Sequence, residues 1–75
     1  MANIERRYYR SIGIAEFIAE GHSLAETKEE FGISKETIRN DLKFLAEYGY
    51  GKENERNRLL YQRAKMSLSG KGKIQ

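Results

Sequence analysis

Cysteine is absent from this sequence, and histidine occurs once, as His22. No disulfide, thiol nucleophile or thiolate metal site can form, and one imidazole cannot build a histidine cluster, so neither a metal nor a cofactor is expected. Long apolar runs are missing too: none approaches the roughly 18 residues of a membrane span, and no signal-peptide core follows the basic Arg6-Arg7 pair. The expectation is a cytoplasmic protein with no membrane partner. The 75 residues allow one compact domain. A chain this short buries only about 60% of the surface it exposes when unfolded, so its stability should be marginal. Hydrophobic residues at 39% and aromatic residues at 11% suffice for a small core and exceed what a wholly disordered chain carries.

Charge is unevenly spread. From Lys52 to Gln75, seven basic residues (Lys52, Arg56, Arg58, Arg63, Lys65, Lys71 and Lys73) face two acidic ones, Glu53 and Glu55, a balance of +5. Residues 1 to 51 carry seven basic and nine acidic residues, a balance of −2. A basic C-terminal third on a slightly acidic body suits a polyanionic partner, nucleic acid or an anionic membrane surface; the plainer alternative is a solvated, lysine-rich end.

Periodicity and punctuation predict four helices. At 100° per residue, Ile4, Tyr8, Ile12, Ala15, Ile18 and Ala19 share one arc of about 120°, which predicts an amphipathic helix over 4–20. Gly21 stops it, and Ser23 with Glu26 three positions later reads as a capping box for a short second helix ending near Phe31-Gly32. Tyr9 and Phe17 lie off the first helix's apolar stripe and are either exposed or covered by another element. Gly32-Ile33-Ser34 is a tight connection in which glycine accepts a left-handed backbone and Ser34 caps the next helix. In that third helix, running to about Glu47, Ile38, Leu42 and Leu45 point inward, while Lys35, Glu36, Arg39, Asn40 and Lys43 occupy the wet side. Two glycines in Tyr48-Gly49-Tyr50-Gly51 break it. A fourth helix fits 53–68, with Leu60, Tyr61, Ala64 and Leu68 on one face; its rival is a β-wing pairing 48–52 with 58–62. Residues 69–75 read as a flexible basic tail, leaving 1–68 as the domain.

Residues 23–45 thus join two helices through a short glycine turn, and the second has a hydrogen-bonding outer face. That is a helix-turn-helix pattern, in an all-α, three-helix, homeodomain-like core followed by a basic C-terminal helix. The first helix of such a unit braces the second, whose N-terminal half enters the major groove of double-stranded DNA. The exposed side chains suit base reading, since Arg39 can donate twice to guanine, Asn40 can pair in bidentate fashion with adenine, and Glu36 can accept from cytosine. Lys35, Lys43 and the Ser34 hydroxyl suit phosphates. Arg56, Arg63 and Lys65 of the fourth helix, with Lys71 and Lys73 of the tail, are expected to add phosphate or minor-groove contacts. No heptad or long apolar seam argues for a strong dimer, so a monomer on DNA is expected. The plainer reading is an ordinary helical hairpin with a solvated face. Four residues before Gly32, where a tight unit carries a small residue, stands Lys28, whose stem would have to snorkel along the surface.

The run Phe31-Gly32-Ile33-Ser34-Lys35-Glu36-Thr37-Ile38-Arg39-Asn40-Asp41-Leu42 resembles the signature F-G-[IV]-S-K-x-T-[IV]-x-x-D-L of the sporulation stage III transcriptional regulator D family. Bacterial winged-helix repressors of sugar metabolism share its second half. The similarity extends to the long leading helix, the linker after the third helix, a later helix and the basic, glycine-containing end. The resemblance implies a small transcriptional regulator, of sporulation genes, that acts on DNA with RNA polymerase as a further partner. It assigns DNA contact to Ser34, Lys35, Thr37, Arg39 and Asn40.

Other chemistries find little support. Gly70-Lys71 lacks the Ser or Thr and the upstream glycine of a phosphate-binding loop. Glu16, Glu20, Glu29 and Glu30 are helical surface carboxylates with no nucleophile or metal ligand beside them, so no enzyme is expected. A functional alternative is a protein-interaction module, such as an adaptor or antitoxin-like subunit, using Tyr50, Leu59, Tyr61 and Met66 as its apolar surface.

Overall fold

The computed structural model describes residues 4–71, with side chains as far as Ser69. Four helices follow one another: α1 (Ile4–Ala19), α2 (Leu24–Phe31), α3 (Lys35–Glu47) and α4 (Gly51–Lys71), with no strand among the described residues. The fold is all-α with a helix-turn-helix formed by α2 and α3. The helix boundaries around the turn have local causes. Ser23 and Glu26 form the reciprocal capping box, the Ser23 hydroxyl accepting from the Glu26 N–H at 3.1 Å and Glu26 Oε1 accepting from the Ser23 N–H at 2.9 Å. Gly32 takes the left-handed backbone (φ 64°) that ends α2, and its N–H donates to the Lys28 carbonyl at 2.9 Å. Two residues later the Ser34 hydroxyl accepts from the Thr37 N–H at 3.1 Å and opens α3.

The core lies between α1, α3 and α4. Tyr8, Ile14, Ala15 and Ile18 of α1 meet Ile38, Leu42 and Leu45 of α3 and Ala64 of α4, and Phe31, Ile33, Leu60, Tyr61 and Leu68 pack around them. The buried arc of α1 differs from its predicted stripe. Ile4 is 59% exposed and Ile14 is fully buried, because α3 lies along the side of α1 that carries Arg7, Arg10 and Ile14. Phe17 is half-buried, edge-on to Phe31 and stacked on His22 with ring centroids 3.8 Å apart; Tyr9 is exposed. In α2 the buried residue is Thr27, whose hydroxyl donates to the Ser23 carbonyl at 2.8 Å, whereas Lys28 points to solvent. The close-packed position of the turn is therefore one residue earlier than expected, and Lys28 does not intrude on it.

The segment after α3 is helical, which removes the β-wing. Asn54 donates to the carbonyls of Ala46 (3.2 Å) and Tyr48 (2.9 Å), and Asn57 donates to the Tyr48 carbonyl at 3.1 Å. These amides satisfy carbonyls that the end of α3 leaves without helical partners, and they set the direction in which α4 departs. Tyr48 stacks on Tyr8 at 4.1 Å, and Gly49 turns the chain with φ 85°. Helical spacing places Leu60, Tyr61, Ala64 and Leu68 on the core side, where strand alternation would have divided them between two faces. α4 starts two residues before the expected Glu53 and runs through Ser69 and Gly70 to Lys71, past the boundary drawn after Leu68. The remainder of the expected tail, Lys73 included, lies outside the described residues.

Candidate nucleic-acid interface

The outward face of α3 follows from its inward one. Ile38, Leu42 and Leu45 are buried, so the residues set opposite them by helical geometry, Glu36, Arg39, Asn40 and Lys43, emerge together within an arc of about 100°. All four are exposed; Lys35 flanks them on the Arg39 side, and Thr37, half-buried, on the Asn40 side. Ser34 is exposed at the N-terminus of the helix, but its hydroxyl already caps α3 and lies 3.0 Å from the Thr37 hydroxyl. Its contribution to an anion at that end would add to, and share geometry with, the cap. The structure brings this predicted set together on one surface.

A buried carboxylate holds the face in position. Asp41, whose side chain is 1% exposed, accepts from Arg10 through Nε at 2.6 Å and Nη2 at 3.1 Å and from Arg7 Nε at 3.1 Å. The hydrogen bonds to Asp41 raise the pKa of Arg10 above its ordinary value, against the opposing effect of burial. Arg7 also lies over the Phe44 ring, 4.5 Å from its centroid. Three residues beyond Ile38 and four before Leu45, Asp41 sits on the apolar stripe of α3. A carboxylate there demands a cationic partner, and that was the available signal for a cluster the residue pattern of α3 alone did not reveal.

Of the described cations of α4, Arg56 and Arg63 lie on one flank of that helix and Lys65 on another. Arg56 and Arg63 line a groove of about 390 Å³ with Tyr8, Ile12 and Glu16 of α1 and Leu59 of α4, and no α3 residue lines it. Lys65 follows Arg63 by two residues, a rotation of about 200°, and lies on the other flank with Nζ 5.6 Å from the Tyr61 ring centroid. Lys71 ends α4, its side chain beyond the described part. The alternative apolar surface is divided as well. Leu59 (61% exposed) and Met66 (71%) share the outer face of α4, Tyr50 (91%) stands in the linker, and Tyr61 packs on the core.

Neither a curated protein nor a solved structure matches the chain. A family model, the DeoR-like helix-turn-helix domain, matches residues 12–52, from within α1 through the capping box, the glycine turn and the exposed face of α3 to the first residues of α4. That segment is more than half of the 75 residues, and it contains the two-helix unit whose geometry suits a DNA groove; the chain belongs to the DeoR-like helix-turn-helix domain family of DNA-binding regulators.

Proposed function

We propose that the protein is a transcriptional regulator that binds double-stranded DNA sequence-specifically, with α3 in the major groove. The observation that carries this reading is the exposed arc of Glu36, Arg39, Asn40 and Lys43, backed by a buried stripe on the same helix. Arg39 and Asn40 offer bidentate contacts to guanine and adenine and Glu36 accepts from cytosine, while Ser34, Lys35, Thr37 and Lys43 hold phosphates or fine-tune the approach. Lys65, Lys71 and Lys73 add phosphate or minor-groove contacts from the C-terminal segment, and Arg56 and Arg63 contribute to the positive field that draws in the duplex. The protein acts in the cytoplasm as a monomer on DNA, with RNA polymerase as a second partner. Sporulation genes are the targets that the run Phe31 to Leu42 supports through its resemblance to the stage III regulators.

A genomic pull-down sequenced for bound sites tests the whole reading, and Arg39→Ala tests its centre. Removing one bidentate base contact should weaken binding to the recovered site by about 1–3 kcal/mol and relax specificity at one position. Equal weakening on recovered and random duplexes would remove Arg39 from base reading.

A further inference from the structure

We propose that Arg7 and Arg10 of α1, held by Asp41, form a phosphate-binding site on the flank of α3, so that α1 grips one strand of the duplex whose bases α3 reads. The proposal rests on the DNA-binding reading above and adds a contact surface outside α3 and the C-terminal segment.

Charge gives the first argument. Two guanidinium groups share one carboxylate, and among the described residues no other acid stands within ion-pair distance of either. The cluster therefore keeps a surplus positive charge. Hydrogen-bond capacity gives the second. Arg7 engages Asp41 through Nε alone, leaving both Nη groups, and Arg10 through Nε and Nη2, leaving Nη1. The two side chains are 42% and 40% exposed, so a large part of each reaches solvent while its Nε is fixed on a buried anion.

Position decides what those donors meet. Around the axis of α3, Asp41 is 100° from Asn40 and Phe44 about 40° from it, and Arg7 lies over the Phe44 ring. The arginines thus border the reading face along its Asn40 edge. A helix inserted into the major groove has phosphates along both sides, and planar guanidinium forks fit phosphate oxygens in bidentate fashion. Because Asp41 already orders both side chains, less rotamer entropy remains to be lost on binding than for a free surface lysine.

The test compares wild-type protein with Arg7→Gln on a mixed-sequence DNA duplex over a series of salt concentrations, by fluorescence anisotropy, with a far-UV dichroism melt of each protein. Arg7 is the position to change because Arg10 keeps both its bonds to Asp41, so the carboxylate is not stripped of partners. The expected result is weaker binding with a salt slope shallower by roughly 0.9, the value for a single phosphate no longer neutralised. An unchanged slope in a folded Arg7→Gln protein overturns the proposal, even where affinity falls, because a merely structural role would weaken binding without releasing fewer counterions. In that outcome wild-type binding still upholds the DNA reading, whereas a wild-type protein that binds no duplex removes both. Should Arg7→Gln fail to fold, the arginine side-chain N–H signals of ¹⁵N-labelled wild-type protein decide the matter: shifts of Arg7 and Arg10 on adding the duplex support the site, and unmoved signals overturn it.

Discussion

The two flanks of α1 show opposite fates for arginine. On the flank facing α3, Arg7 and Arg10 converge on a buried carboxylate and border the reading face. On the flank facing α4, Arg56 and Arg63 line an open groove with Glu16 and apolar side chains. By charge balance the second pair belongs to the basic third of the chain and the first pair to a slightly acidic body, yet it is the first pair that bonds to α3, and no α3 residue lines the groove of the second. Net charge along a sequence reports how much cation is present; which surface it serves depends on how the helices pack.

The largest expected effect tests the packing on which both flanks depend. Ile38→Ala removes a fully buried side chain from the face of α3 opposite the arc and should destabilise the protein by about 2–5 kcal/mol, enough to unfold much of a small domain's population. A far-UV melt with an unchanged midpoint would contradict that burial. Asp41→Ala separates the flanks more sharply. It removes three hydrogen bonds that join α1 to α3, each of a class worth about 1.5–3 kcal/mol when one partner is charged. Arg7 and Arg10 can turn to water, so the net loss should lie near a single bond's value. Since about 1 kcal/mol moves the midpoint of a small domain by about 4–8 °C, a melt resolves it readily. The smallest effect belongs to the other flank: Arg56→Gln and Arg63→Gln should each change stability by no more than about 0.5 kcal/mol. A drop in melting midpoint as large as that of Asp41→Ala would show that this groove is a second structural pairing, and the contrast between the flanks would fail.

Much of the fold was legible in the residues because its signals are local. Ser23, Glu26, Gly32 and Ser34 act within four residues of their partners, and each performs the capping or turning role its chemistry implies. The reading face was legible for the same reason, since Ile38, Leu42 and Leu45 define its back. Ile14 was not, because its burial is imposed by α3 rather than by the spacing of α1. The choice of helix over β-wing after Tyr48 was weighted by the spacing of Leu60, Ala64 and Leu68 and completed by contacts that spacing does not encode. Asn57 lies nine residues from the Tyr48 carbonyl it binds, and the Tyr8 hydroxyl, reaching across from α1, lies 3.2 Å from both Asn57 Oδ1 and Glu53 Oε2, with one proton for either.

What the sequence by itself determined is the order of helices, the turn between α2 and α3 and the face of α3 that meets solvent, because capping and periodicity operate over one or two turns of chain. What only the tertiary structure decided is which charges share a surface. Arg7 and Arg10 reach Asp41 across 34 and 31 residues, and the angles at which α1 and α4 pack on α3 turn Arg56 and Arg63 into a groove no α3 residue lines. Those angles come from the mutual fit of Tyr8, Ile14, Ile18, Leu42, Leu45 and Ala64, and close packing of that kind is a property of side chains brought together from distant positions.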